Sequence, residues 1–191
     1  MRIIALVASV TLALLVTTDR PLARQGDDGV SDFSRRVAEY VTLHRQVERF
    51  LPKQKVFTDA AEGLRITAEL AQALRAVRPD AREGDIFSPL AAVAIRRSIG
   101  RALAEHRFPP SVLIEEMHYE SNETPPAPRI NEAFSWGLGN VMPYFVLHAL
   151  PELPDELQYR FVERDLVLID IHANLVVDIL RDALPEETYA S

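Results

Sequence analysis

Three polar side chains, Asp170, His172 and Asp178, interrupt the run QYRFVERDLVLIDIHANLVVDIL at residues 158–180. One imidazole nitrogen with two carboxylate oxygens is a donor set for a divalent metal such as nickel, cobalt or zinc. Residues two apart on a strand share a face, so Asp170 and His172 project together, and Asp178 joins them from a neighbouring strand. The bland alternative is a solvated sheet face, on which Arg160, diagonal to Asp170, forms an ordinary surface pair.

Other clusters converge less well. Glu115, Glu116, His118 and Glu120 spread around a helix and read as an exposed face. Asp80, Glu83 and Asp85 form an acidic loop without EF-hand spacing. His44 and His106 fall on apolar helical stripes, where histidine usually packs with one ring nitrogen satisfied. Arg75, Arg78, Arg82, Arg96, Arg97 and Arg101 could meet an anionic partner, but pairing with the surplus of carboxylates is the default. Residues 136–140, WGLGN, lack the strand-before, helix-after setting of a phosphate loop. The signatures of the common hydrolase and nucleotide-binding families are absent, so catalysis is left to an unrecognised carboxylate–histidine site between distant segments. Asn122 lies in an Asn-Glu-Thr glycosylation acceptor pattern within a proline-rich connector.

These side chains must be held by a fold that the remaining pattern describes. Phe33, Val37, Tyr40, Val41, His44, Val47 and Leu51 recur three or four apart, the stripe of one buried helical face that Pro52 ends. A second helix starts at Asp59, capped with Glu62 three residues on, and stops at Arg78-Pro79. Ser88-Pro89 starts a third, turning Leu90, Ala94, Ile95, Ile99, Ala102, Leu103 and His106 inward. Ser111 caps a short fourth helix. Residues 120–129 read as an exposed loop, and 130–157 as a short helical turn followed by irregular chain.

The β-branched and aromatic terminal run predicts three strands, at 157–162, 166–172 and 176–180, in an antiparallel meander. Three-residue loops would sort Tyr159, Phe161, Val167, Ile169, Ile171, Val177 and Ile179 onto one apolar face. Asp170 would then stand directly across from Asp178. The expected fold is α+β, helices packed on this small meander, with 1–23 a signal segment, 24–156 mainly helical and 157–191 the sheet of the same domain.

Residues 148–180, HALPELPDELQYRFVERDLVLIDIHANLVVDIL, resemble the C-terminal segment of RcnB-like periplasmic proteins. There a Leu-Pro lead-in precedes a strand, a polar turn, an aliphatic strand carrying a polar residue and a Val-Val/Ile-rich strand. The run is also similar to the ends of exported bacterial proteins of unknown function. This chain departs from the pattern with Glu163 where glycine is usual, and with Ala173-Asn174 in place of a Thr-Gly pair. The resemblance implies nickel and cobalt homeostasis, and it carries no ligand residues with it.

Arg2 followed by the apolar residues 3–16 has the form of a secretory signal, shorter than a membrane-spanning helix, with a cleavage point after Ala23. Membrane contact is expected only through this segment, if it stays uncleaved. The chain of 191 residues has no cysteine, which leaves neither disulfides nor thiolate metal sites, and its net charge of −7 argues against nucleic-acid binding. The expectation is a periplasmic or secreted, non-catalytic protein without a cofactor. It would bind an envelope protein or component through the aromatic anchors Trp136, Tyr144 and Phe145. The alternative is a periplasmic metal-binding protein.

Overall fold

The computed structural model describes residues 22–51, 59–119, 126–136 and 142–186. Among these, α1 (Leu22–Phe50), α2 (Ala60–Val77), α3 (Pro89–Glu105), α4 (Pro110–Tyr119) and α5 (Tyr144–Ala149) precede β1 (Leu157–Val162), β2 (Asp165–Asp170) and β3 (Leu175–Leu180). The strands pair as an antiparallel meander in the order β1-β2-β3, so the expected α+β architecture is what the chain adopts. The apolar residues 3–16 and Asn122 lie outside the described residues. Among the described residues no helix is long and apolar enough to cross a membrane.

Local chemistry places the helices. Asp59 Oδ1 accepts from the Ala61 N–H at 3.0 Å, and Ser88 Oγ accepts from the Ala91 N–H at 3.2 Å with Pro89 in the first helical position. The stripe Phe33, Val37, Tyr40, Val41, His44 and Val47 is buried as its spacing predicts. α1 and α3 approach so closely at Gly29 that a Cβ there would stand 2.6 Å from the Leu90 carbonyl oxygen. Not every residue expected to face inward does so: Leu90 and His106 are exposed. The helical turn expected after residue 130 comes instead after Pro143, as α5, while 130–136 runs along the sheet.

The sheet departs from its expected register. Val162 pairs with Asp165, which leaves a two-residue hairpin of Glu163 and Arg164, with Glu163 at a φ of 53°. A positive φ at the first loop position is what a primed hairpin turn requires. Tyr159 therefore opposes Leu168, and Phe161 opposes Leu166. Between β2 and β3 the register slips at Val177, so Leu168 opposes Asp178 and Asp170 opposes Leu175, not Asp178.

This register places Asp170 and Asp178 among apolar residues on the helix-facing side, and both faces of the sheet are covered. Tyr159, Phe161, Leu166, Leu168, Val177 and Leu180 pack under the helices, where Phe33 stacks on Tyr159 at 6.1 Å. Val167, Ile169, Val176 and Ile179 pack beneath Phe134 and Ile130 on the other side. Each such side chain, buried whole, contributes about 1.5–3 kcal/mol. Residues 131–133 also cover the outer edge of β3, through the Asn131 N–H to the Val176 carbonyl and the Val176 N–H to the Glu132 carbonyl, both at 2.9 Å.

Candidate metal centre

Asp170 and Asp178 are fully buried beneath the helices, which overturns the solvated-face expectation for both. A buried carboxylate must be hydrogen-bonded, and each is, in a different place. Asp178 Oδ2 accepts from the Ile86 and Phe87 N–H groups at 2.6 and 2.7 Å, and its Oδ1 accepts from Gly84 at 2.9 Å and Ile179 at 2.7 Å. Burial pushes its carboxyl above the usual range, against the pull of those four amides. It holds the loop that launches α3. Arg160, expected beside Asp170, instead lies over the Trp136 ring, 5.6 Å from its centroid.

Asp170 is a hub. Its Oδ1 accepts from the His172 and Ala173 N–H groups at 3.1 and 2.9 Å, an Asx-type turn that shapes the β2–β3 connection, with Asn174 left-handed at a φ of 47°. Its Oδ2 receives the Tyr40 hydroxyl at 2.7 Å and faces His44 Nδ1 at 2.5 Å. One carboxylate thus positions His44 through its ring and His172 through its backbone. Burial, then the charge of Asp170, drives the Tyr40 hydroxyl well above its ordinary range, so it remains a donor. The Arg78 guanidinium lies over the Tyr40 ring, 4.9 Å from its centroid.

A carboxylate can only accept, so His44 Nδ1 carries the proton and Nε2 points away from Asp170. That Nε2 is buried and has no hydrogen-bond partner among the described residues. Glu48 Oε2 lies 3.9 Å away, too far for a hydrogen bond, and the His172 ring centroid stands 5.6 Å from that of His44. Donor atoms of His44, Glu48 and His172 all lie within 4.8 Å of one another, with His44 buried and the other two exposed. Burial lowers the His44 pKa, but the hydrogen bond and charge of Asp170, with the charges of Glu48 and Glu156, outweigh it and leave the pKa raised.

A cation bound at 2.0–2.2 Å holds its donors about 3.3 Å apart, so donor atoms that lie within 4.8 Å of one another need close by at most about 1.5 Å. Glu48 and His172 are surface side chains able to do so by rotation. The residues present therefore fit a divalent ion with two imidazoles and one carboxylate, and the His44–Asp170 bond supplies the outer carboxylate that metal-binding histidines usually have. Of the three ligands read from sequence, His172 lies in this set. Asp170 stands behind it, and Asp178 is engaged elsewhere. Neither His44 nor Glu48 is among those expected ligands, although Tyr40, His44 and Glu48 recur four apart on one line of α1.

The other candidates are dispersed. Glu83 pairs with Arg181, and Asp85 Oδ2 accepts from the Arg82 N–H at 3.0 Å. Glu115 is exposed, and the side chains of Glu116 and His118, with Glu120, lie outside the described ones. Arg75 and Arg96 donate to the backbone carbonyls of Asn131 and Arg181. Trp136 belongs to the outer cover of the sheet, donating to Asn174 Oδ1 at 2.7 Å. Tyr144 and Phe145 belong to α5 on the helical side, where Phe145 stacks on the exposed His106 at 4.2 Å. Residues 137–141 between them lie outside the described residues. No family model matches the chain, and no curated protein or solved structure is found similar to it.

Proposed function

We propose that this is an exported protein that binds a divalent transition-metal ion through His44 Nε2, Glu48 and His172. The observation that carries the reading is the buried His44 Nε2, unpartnered among the described residues and held by Asp170 with its face toward two exposed donors. A buried polar atom without a partner costs about 1–3 kcal/mol, an expense that ligand binding explains. Two imidazoles and one carboxylate favour zinc, nickel or cobalt over calcium or magnesium, which prefer oxygen. The resemblance of residues 148–180 to RcnB-like proteins supports the same class of ion, and the apolar leader behind Arg2 supports export. Partner binding through Trp136, Tyr144 and Phe145 has less behind it, since Trp136 and the α5 aromatics occupy opposite faces of the sheet.

Calorimetry of the purified protein with zinc, nickel and cobalt tests the reading. One ion per chain is expected, with affinity falling by more than about 100-fold in His172→Ala, a loss beyond that of an outer residue. His172 is exposed, so this variant keeps the fold, and His44→Ala repeats the test from the buried side. Absence of heat from all three ions, or affinity indifferent to His172, rejects the proposal.

A further inference from the structure

Glu156 lies immediately before β1, with its carbonyl receiving the Ile171 N–H at 2.9 Å. Ile171 stands between Asp170, which orients His44, and His172. The Glu156 carboxylate is 8% exposed, and its Oε1 receives Arg45 Nε at 2.5 Å, from the residue next to His44 on α1. Glu156 is thus tied by its backbone to the neighbour of one histidine and by its side chain to the neighbour of the other. Its Oε2, like His44 Nε2, is buried without a hydrogen-bond partner among the described residues.

Resting on the metal reading above, we propose that Glu156 is the fourth protein donor of this centre and that Arg45 competes with the cation for it. Three protein ligands leave a tetrahedral ion one position short, and a second carboxylate fills it. In the arrangement the structure shows, Glu156 stands outside the converging trio and is held by Arg45. The Arg45 side chain is 60% exposed and is the partner free to leave, since its guanidinium is readily hydrated outside while a second buried carboxylate is not. Metal arrival would transfer Glu156 from a guanidinium to the ion and release Arg45 to solvent. Arg45 thereby sets the threshold of metal concentration at which the site fills.

Zinc affinity of the full chain, measured by competition against a chromophoric chelator, tests this with Arg45→Gln, Glu156→Gln and the double variant. Glu156→Gln is expected to weaken binding by about 10–100-fold, and Arg45→Gln to tighten it by about tenfold, as when an anion is freed from its counter-charge. In the Glu156→Gln background the Arg45 substitution should lose that effect. Equal tightening in both backgrounds would reduce Arg45 to a through-space charge and overturn the competition. Unchanged affinity in Glu156→Gln, with binding still lost in His172→Ala, would remove Glu156 while leaving the three-ligand site standing. No binding by the parent protein overturns both readings. Should Glu156→Gln fail to fold, the Arg45→Gln arm decides alone, because absence of tightening there refutes the proposal.

Discussion

Replacing Asp170 by Asn alters one group in a packed centre while nearly preserving its shape. The carbonyl oxygen can keep the His172 and Ala173 N–H groups, which places the new amide against the Tyr40 hydroxyl and His44 Nδ1. Donor would then meet donor twice. The hydroxyl can rotate, but the imidazole must move its proton to Nε2 so that Nδ1 can accept. Two charge-assisted bonds worth about 1.5–3 kcal/mol become neutral ones of about 0.5–1.5, a loss near 2–3 kcal/mol in all. For a chain of this size each kcal/mol lowers the Tm by about 2–4 °C, so a fall of about 4–12 °C is expected. The protonated Nε2 no longer offers a lone pair, and zinc affinity should drop by about 10–100-fold. Two measurements check this: thermal denaturation with and without zinc, and long-range proton–nitrogen correlation spectra that identify which ring nitrogen of His44 carries hydrogen. Survival of the Nδ1–H form in the variant, or zinc binding equal to that of the parent, would refute the claim that Asp170 orients His44.

Gly29→Ala should destabilise by about 1–2 kcal/mol net, since overpacking costs about 1–3 kcal/mol and the helix-propensity gain returns up to about 1. The added Cβ would meet the Leu90 carbonyl oxygen at 2.6 Å and Ala94 Cβ at 2.7 Å, whereas one at Gly100 meets nothing within 4 Å, so Gly100→Ala in α3 should stabilise; thermal melts of the two variants must move in opposite directions. Hydrogen bonding from Ser88, helped by Arg35 and Arg36, holds the Asp32 carboxyl down at about 2 from 3.8. Because its folded-state pKa is depressed, the stabilisation it supplies is complete above 3.8 and is lost as pH falls toward 2. Tm against pH should therefore fall more steeply across that window in the parent protein than in Asp32→Asn, and parallel curves would contradict the assignment.

Sequence by itself determined what short-range chemistry decides. Asp59 and Ser88-Pro89 satisfy the first amides of their helices from within a few residues, and the period of Phe33, Val37, Tyr40 and His44 needs only the helical repeat to make a face. The β-branched run from Leu157 reads as strands because each residue's own preference is extended. Tertiary structure decided what lies across the sheet. Asp170 reads as a wetted residue until α1 covers it and brings Tyr40 and His44, 130 and 126 positions away, to its oxygens. Register escaped the sequence because it depends on Glu163 accepting a left-handed turn and on the slip at Val177, both of which profit only when each face has a cover. His44 became a candidate ligand for the same reason: a carboxylate from a distant strand takes one ring nitrogen, and the other is left facing Glu48 and His172. Such convergence follows from how two distant segments pack, a property that no local window of residues encodes.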